Sequence, residues 1–375
     1  MRRRLSIPGA LFAPPQGGSH PLAITQLRAW RLKEPDSSRR YTVVKLQSQS
    51  GESGYGEGGP APGAQIAEAR AAIAGRRATE TEFVRAHCKG MPAMEAAVSN
   101  AMLDLVSRSR QLPIYQFLGG PTRFKARLLG QLQGGDENSI APSLERGRRA
   151  GILAFTMPVL QRDAMIPLQE WVDRVRKRVA AIRAHGAPDW EWVLDGGGQM
   201  TPGDAATAAA ALEKEHLVWF DEPTNVLTTD GLAKITDESV MPIGIGRHLH
   251  DIDTFQNLLR HGSLNVLRPG LGINSLVKIK RMAAIAETHY VAVAPYHAGG
   301  PIGTLAGIHL NAALANSFSQ EVPLPASDRD AAMRAEITGG NREMADRGYA
   351  ALLNRPGLGV TIDERALDKY SEERI

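Results

Sequence analysis

The sequence has few of the residues that mark secreted, membrane or nucleic-acid-binding proteins. Cys88 is its only cysteine, which excludes an internal disulfide framework and a thiolate metal cluster. No apolar run approaches the roughly 18 residues that a helix needs to cross a bilayer. Aromatic residues form 5% of the 375 residues, too few for the stacking platforms of a single-strand binder. We therefore expect a cytoplasmic protein that has neither a membrane nor a nucleic acid as its partner.

An excess of charge of one sign is also lacking, since the formal net charge is +4. Basic runs at 2–4, 146–149 and 174–178 are scattered along the chain, and Glu145 lies beside the second run. This pattern is typical of solvated helix faces rather than of a nucleic-acid surface. The first run precedes a short apolar stretch and faintly resembles a twin-arginine export signal, but a proline interrupts it and no clear cleavage site follows. A disordered tail over residues 1–20 is the favoured prediction.

Short apolar runs recur along the chain and predict buried strands. Each run is too short for a core helix, and helical patterns separate them. In the second half of the chain they recur roughly every 25 residues, the length of one strand, one helix and two loops. Such repeats favour a parallel barrel or a doubly wound sheet, and the lack of a dinucleotide-binding glycine fingerprint after the first strand favours the barrel. The runs lie at 127–129, 152–155, 192–194, 217–220, 242–245, 264–267 and 291–293.

The rest of the chain divides into a domain before the barrel and a segment after it. Residues 21–124 begin with alternating patterns typical of antiparallel strands and continue with a long helical stretch. The barrel is expected over residues 125–325. Residues 326–375 are expected to return to the N-terminal domain.

Two acidic residues at the ends of apolar runs are the most informative feature of the sequence. Asp195 and Asp221 stand 26 positions apart (221 − 195), and the position 26 further on is Arg247 rather than a third acid. In a parallel barrel these three residues and His297 would fall at the C-terminal ends of the strands, where barrel active sites form. The spacing therefore predicts a barrel active site in which a metal-ligand position has been replaced.

Four motifs carry a resemblance to a known family, and they occur in that family's order. They are Gly-Tyr-Gly-Glu at 54–57, Pro-Ile-Tyr-Gln-Phe-Leu-Gly-Gly at 113–120, Trp-Phe-Asp-Glu-Pro at 219–223 and Pro-Gly-Leu-Gly at 356–359. With them the chain resembles the enolase superfamily, in its mandelate racemase and muconate lactonizing enzyme branch. The resemblance implies an α/β fold, namely a (β/α)7β TIM-like barrel with an α+β capping domain. It also implies Mg²⁺ held by three carboxylates, and removal of the proton α to a substrate carboxylate.

The resemblance assigns metal ligands and also shows where they are missing. Asp195 and Asp221 match two of the ligands, and Glu222 stands beside the second. Arg247 occupies the third ligand position, where a guanidinium could replace the cation with its own positive charge. We therefore expect Mg²⁺ to bind weakly or not at all. The alternative is that Arg247 turns outward, so that His248 or water completes the coordination.

The family's usual bases are replaced as well. Thr156-Met157-Pro158 stands where the resemblance implies Lys-x-Lys, and Gly270 stands where an Asp would orient a histidine. The expected Ala-Pro-His reads Ala-Pro-Tyr at Tyr296, with His297 one position late, and Glu321 lies on the family's last strand. The predicted catalytic residues are His297, Tyr296, Glu321 and Arg247.

Three functions fit these residues. The first is a lyase or isomerase of the acid-sugar dehydratase or racemase type, acting on a hydroxy or sugar acid. The second is a catalytically silent descendant that binds a carboxylate, and the third is a barrel whose site has become structural. We favour the first, because acids remain at several strand ends and burying them without a use would be costly. A small-molecule carboxylate substrate and a homo-oligomeric assembly are expected, with substrate specificity set by the segments at 34–40 and 54–63.

Overall fold

The computed structural model describes residues 20–158, 161–163, 165–341 and 343–374. The disordered tail and the export-like segment predicted near the N-terminus therefore lie almost entirely outside the described residues. Within the described ranges, no helix is both long and apolar enough to cross a membrane.

The first of two sheets is antiparallel and belongs to the N-terminal part of the chain. Its strand order is β13-β1-β2-β3, so that the last strand of the chain pairs with the first. Four helices lie between β3 and the next strand of the described chain. The strands are β1 (Ile24–Lys33), β2 (Arg40–Ser48), β3 (Ser53–Gly58) and β13 (Ser371–Arg374), and the helices are α1 (Gly63–Ile73), α2 (Thr81–His87), α3 (Pro92–Ser109) and α4 (Ile114–Phe117).

Glycines in β3 explain how closely the long helix α3 packs on this sheet. A Cβ atom added to Gly56 would lie 2.1 Å from the Ala97 carbonyl oxygen, and one added to Gly54 would lie 2.3 Å from the Ala101 carbonyl oxygen. Any other residue would push the helix away from the strand. The Gly-x-Gly part of the motif at 54–57 is therefore a packing requirement.

The second sheet forms the barrel, in which, over the residues that the structure describes, eight parallel strands alternate with seven helices. Neighbouring strands pair in parallel from β10 through β4 to β11, and a bridge between Val293 and Ser317 closes the ring. This confirms the predicted (β/α)7β barrel, while the predicted domain limits stay predictions. The strands are β4 (Lys125–Gln131), β5 (Ala154–Pro158), β6 (Glu191–Asp195), β7 (Phe220–Asp221), β8 (Ile243–Ile245), β9 (Val266–Leu267), β10 (Ala292–Val293) and β11 (Gln320–Pro323).

The helices of the barrel lie between consecutive strands, and a short antiparallel strand is added outside the ring. This strand, β12 (Tyr349–Ala351), pairs with β4. Two helices, α12 (Asp328–Ile337) and α13 (Glu364–Tyr370), follow the last barrel strand. The barrel helices are α5 (Glu137–Arg149), α6 (Leu168–Arg183), α7 (Pro202–Leu212), α8 (Thr229–Glu238), α9 (Ile252–Arg260), α10 (Leu276–Glu287) and α11 (Pro301–Ala313), with a 3₁₀ turn at Glu213–Glu215.

Apolar side chains fill the inside of the barrel and form the floor of its mouth. Trp219 meets the ring of Phe318 edge-on, with 5.7 Å between ring centroids. Because the interior is packed, polar side chains at the C-terminal ends of the strands stay above this floor. The buried interior cluster consists of Leu129, Ala154, Val193, Trp219, Val266 and Ala294.

Asp104 fastens the C-terminal segment to the N-terminal sheet. Its spacing from Arg108 predicts a surface ion pair on one helix, but the Asp104 side chain is fully buried. Its carboxylate accepts hydrogen bonds from the backbone N–H groups of Tyr55 and Leu358 and from the guanidinium of Arg108, each at 2.8 Å. One carboxylate thus joins β3, α3 and the Pro-Gly-Leu-Gly segment.

The substitution Asp104→Ala should destabilise the fold strongly, because it leaves a partly buried guanidinium and two backbone N–H groups without their acceptor. We expect a loss of about 3 kcal/mol in the free energy of unfolding, measured by urea denaturation. Glu145→Ala, which removes an exposed i,i+3 partner of Arg148, is the control and should change it by less than about 0.5 kcal/mol. Equal changes in the free energy of unfolding for the two substitutions would contradict the proposal that Asp104 holds β3, α3 and the Pro-Gly-Leu-Gly segment together.

Candidate active site

Two neighbouring strands bring Asp195 and Asp221 to the same height at the barrel mouth. Asp195 is the last residue of β6, Asp221 is the last residue of β7, and the two pair directly in the parallel register. Arg247 lies two residues after the end of β8, the next strand around the ring. The structure therefore brings together the three residues whose spacing first marked the site.

The Arg247 side chain points inward and bridges the two aspartates. Its two terminal nitrogens lie 3.0 Å from Asp195 Oδ2 and 2.8 Å from Asp221 Oδ2. Burial lowers the pKa of Arg247, but Asp221 and Asp195 raise it by more, so the guanidinium stays charged. The alternative in which Arg247 turns outward does not describe this structure.

Arg268 is a second guanidinium of the site, and sequence reasoning missed it. It follows β9 directly and is fully buried. Its Nε lies 2.8 Å from Asp221 Oδ1, and one of its terminal nitrogens donates to Glu321 Oε2. The indole N–H of Trp219 donates to the same Asp221 oxygen at 2.9 Å. The feature of the sequence that could have identified Arg268 is its position as a charged residue directly after a predicted buried strand.

Two glycines make room for this network. A Cβ atom at Gly244 would lie 2.5 Å from Asp221 Oδ1 and 2.6 Å from the Trp219 ring, so glycine lets both side chains cross in front of β8. A Cβ atom at Gly270 would lie 2.5 Å from the Arg247 carbonyl oxygen. This close approach explains why an aspartate that could orient a histidine does not fit at position 270.

Glu222 does not turn toward the two aspartates. Its Oε1 accepts hydrogen bonds from the backbone N–H groups of Gly246 and Arg247, both at 2.7 Å. Burial and the neighbouring Asp221 raise the pKa of Glu222 to about 7. The residue thus holds the turn after β8 in place.

These contacts do not fit Mg²⁺ in the arrangement that the resemblance implies. Mg²⁺ needs oxygen ligands that converge at about 2.1 Å, whereas the Arg247 guanidinium lies between Asp195 and Asp221 and bonds to both. Glu222 is committed to backbone amides. In the part of the chain that the structure describes, no group of three or more His, Cys, Asp or Glu side chains is arranged to hold a metal ion.

Tyr296 and Glu321 lie within the same charged network. The Arg247 guanidinium carbon is 4.4 Å from the centre of the Tyr296 ring, a cation–π contact. Glu321 is fully buried and bonds to Arg268, while its Oε1 has no hydrogen-bond partner among the described residues. Burial raises the pKa values of both groups, and Arg247 opposes the shift in each.

His297 lies instead at the contact between the N-terminal sheet and the start of α11. Its Nε2 is 2.8 Å from the Gly300 carbonyl oxygen and 3.7 Å from Glu57 Oε1. Glu57 in turn accepts hydrogen bonds from the N–H groups of Gly300 and Gly303. Burial lowers the pKa of His297 to about 4, so it is neutral near pH 7. Its predicted catalytic role stays a prediction.

A cavity of about 430 Å³ is lined by Asp195, the residue that pairs with Arg247. Its walls come from the segment between β1 and β2 and from the ends of β4, β5 and β6. Among the described residues, the charged ones on these walls are Arg39 and Asp195, each of which is paired with a residue of opposite charge. The polar lining residues are Ser37, Arg39, Gln131, Gln133, Thr156 and Asp195.

The raised pKa of Glu222 predicts that stability falls as the pH rises. Between about pH 4.5 and pH 7 the folded chain keeps a proton that the unfolded chain releases, so this contribution is present at low pH and is lost through pH 7. Burial also raises the pKa of Glu57 to about 7, so Glu57 should add to the loss of stability over the same pH range.

Between pH 5 and pH 8 the free energy of unfolding of the wild type should decrease. We expect this decrease to be smaller by about 1–3 kcal/mol in Glu222→Gln. Urea denaturation at several pH values measures it, with Glu145→Gln on an exposed helix face as the control. An unchanged pH slope in the Glu222 variant would contradict the assignment.

Comparison with known proteins identifies the family of the chain. Residues 141–366 match the model of the enolase C-terminal domain-like family. A D-galactonate dehydratase from Ralstonia pickettii is 25% identical over 371 residues, which cover 94% of this chain and 95% of that protein. A D-galactonate dehydratase from Verminephrobacter eiseniae is 27% identical over 283 residues, or 74% of this chain and 73% of that protein.

Solved structures agree on the fold at lower identity. A mandelate racemase/muconate lactonizing enzyme-like protein from Rubrobacter xylanophilus superposes with a TM-score of 0.82 at 22% identity, covering 94% of this chain and 98% of that one. An enolase from Agrobacterium radiobacter, bound to sodium and L-malate, gives a TM-score of 0.84 at 20% identity, with 94% and 96% covered. The chain belongs to the enolase superfamily, in its mandelate racemase and muconate lactonizing enzyme branch.

Proposed function

We propose that the chain is a lyase that dehydrates a small acid sugar. A base removes the proton on the carbon next to the carboxylate, and the electron pair of that C–H bond forms an enediolate. The hydroxyl on the next carbon then leaves with a proton as water, and the resulting enol becomes a 2-oxo-3-deoxy acid. This chemistry needs a positive charge beside the carboxylate, because removal of the proton adds a second negative charge to it.

The observation that carries the proposal is the Asp195–Arg247–Asp221 bridge, whose Asp195 end lines the cavity. Two carboxylates and a buried guanidinium meet there at the C-terminal ends of the strands, where barrel enzymes carry out their chemistry, and this supports the proposal. The relatives called D-galactonate dehydratases, which align over nearly the whole chain, support an acid sugar as substrate. Cytoplasmic location and homo-oligomeric assembly stay predictions.

We assign the role of base to Asp195. It is the carboxylate on the cavity wall, and Thr156 to Pro158 of β5 offer no basic side chain. When Asp195 takes the proton it loses its charge, and the Arg247 guanidinium is then free to stabilise the enediolate. The negative charge moves from Asp195 to the substrate but stays beside Arg247, which limits the electrostatic cost of the step.

Tyr296 is our candidate for the acid that protonates the leaving hydroxyl. Its raised pKa keeps the phenol protonated at neutral pH, and it lies against Arg247 at the same site. Glu321, deeper and bonded to Arg268, is the second candidate. The contacts of His297 favour a structural role at the start of α11 rather than a role in proton transfer.

Incubation with D-galactonate and related acid sugars tests this function. We expect a 2-oxo-3-deoxy acid product, detected by mass spectrometry and by its carbonyl chemistry, and α-proton exchange in D₂O. Asp195→Asn should lower the rate by at least about 100-fold, because the amide cannot accept the proton. Asp189→Asn, on an exposed loop, is the matched control and should leave the rate unchanged. Neither exchange nor product with any acid sugar would instead favour a silent carboxylate-binding descendant.

We also infer that Mg²⁺ binds weakly or not at all at Asp195 and Asp221. Enolase-superfamily members typically bind Mg²⁺, but here the guanidinium of Arg247 takes the space and the charge of that ion. A second cation placed directly against the guanidinium would be repelled by it. The chemistry above is therefore assigned to the side chains alone.

Arg247→Glu should turn the site into a divalent-cation site, because three carboxylates would then converge from adjacent strand ends. We expect calorimetry on EDTA-dialysed protein to show about one Mg²⁺ or Mn²⁺ per chain for this variant and none for the wild type. Arg260→Glu, at the exposed end of α9, makes the same charge change on the surface and should bind no ion. One-to-one binding by the wild type that Asp195→Asn abolishes would overturn the inference.

A further inference from the structure

Arg39 is a charged residue of the cavity that the proposed reaction does not use. It lies in the segment between β1 and β2 and, with Ser37, forms the wall that the N-terminal part of the chain contributes to the cavity. Its Nη2 also donates to the Leu324 carbonyl oxygen, just past the end of β11, at 3.3 Å. Asp195, by contrast, ends β6.

These two charges lie on different sides of the barrel mouth. Around the ring, β11 and β6 are separated by β4 and β5. Three strand spacings of about 4.8 Å correspond to about 14 Å along the barrel wall. The cavity thus has Asp195, which pairs with Arg247, on one side, and Arg39 on the other.

A buried chain of ion pairs fixes the position of Arg39. Its Nη1 lies 2.7 Å from Glu34 Oε2, and Glu34 Oε1 lies 2.6 Å from Arg334 Nη1. Arg334 is held in turn by both oxygens of Glu343, at 2.6 and 2.7 Å. The Glu34 and Arg334 side chains are almost wholly buried, so the guanidinium of Arg39 is set in place before a ligand arrives.

Arg39 keeps donors available for a ligand. Of the five N–H groups of a guanidinium, its hydrogen bonds use one on Glu34 and one on the Leu324 carbonyl. Thr156 provides a second, independent sign of a ligand, since its hydroxyl is buried, lines the same cavity and has no hydrogen-bond partner among the residues that the structure describes. Both groups can donate hydrogen bonds to an oxygen-rich molecule, and the guanidinium of Arg39 favours negative charge at its end of that molecule.

We propose that the ligand of this cavity is a sugar acid with a carboxylate at each end, and that Arg39 binds the carboxylate remote from the reacting carbon. The inference rests on the proposed function, in which the other carboxylate lies beside Arg247. Arg39 is then a specificity-determining residue, because a sugar acid with a neutral hydroxymethyl group at that end leaves the guanidinium without its bidentate acceptor.

Equilibrium binding of two matched ligands tests the proposal without any need for turnover. Galactarate and D-galactonate differ only in whether the far end is a carboxylate or a hydroxymethyl group. We expect the wild type to bind galactarate at least about tenfold more tightly by calorimetry. Arg39→Gln should weaken galactarate binding by about tenfold or more and change D-galactonate binding by less than about threefold, which removes the preference.

Arg40→Gln is the matched control, since Arg40 is the next residue in the chain but is exposed and pairs with Glu372 at the surface. It should leave both affinities unchanged. If circular dichroism shows that Arg39→Gln does not fold, Arg39→Lys keeps the charge but not the planar fork, and should weaken galactarate binding selectively.

Three results would overturn the proposal. They are equal or tighter binding of D-galactonate by the wild type, an equal loss for both ligands in the Arg39 variant, and no detectable binding of either acid by the wild type. Failure of the proposed reaction alone would give a different result from these three. Galactarate would then bind selectively and in an Arg39-dependent way, but neither α-proton exchange nor loss of water would be detected.

Discussion

The charge of one buried carboxylate, that of Asp221, determines the arrangement of the barrel mouth. Burial alone would raise the pKa of Asp221, but Arg268 and Arg247 lower it by more, so the group remains an anion. A buried carboxylate without cationic partners would cost several kcal/mol, and the fold must therefore supply positive charge at this point. Two guanidiniums and the indole N–H of Trp219 provide it, and Gly244 leaves the space in which they meet.

A guanidinium and a divalent cation make opposite demands on the carboxylates around them. A divalent ion draws three or more oxygens toward one point, whereas a planar guanidinium holds two carboxylates apart, each along its own N–H direction. Once Arg247 lies between Asp195 and Asp221, a third converging acid has no function at this site. Glu222 accordingly turns to the backbone amides of the next strand end. The guanidinium between the two aspartates therefore goes together with a different orientation of Glu222 beside them.

The sequence predicts the strands and the strand-end residues well, because both depend on local pattern. Short apolar runs marked the barrel strands, and the equal spacing of Asp195, Asp221 and Arg247 marked their ends. The partners of these residues could not be predicted in the same way. Arg268 meets Asp221 only because β9 and β7 curve around one interior, and the place of His297 depends on how the N-terminal sheet packs on α11. Side-chain direction at a strand end is a property of the closed barrel rather than of any single segment.

The charges of the barrel mouth are largely compensated before any ligand binds. Asp195 and Asp221 are matched by Arg247 and Arg268, which leaves the barrel side of the cavity with little net attraction for an anion. Selection among acid sugars must then come from groups whose donors are still available, which are Arg39 on the segment that the N-terminal part of the chain contributes and Thr156 on β5. If, as proposed, the barrel binds the reacting end and the N-terminal segment binds the far end, the two can change independently, which is one way in which a single fold can serve many substrates.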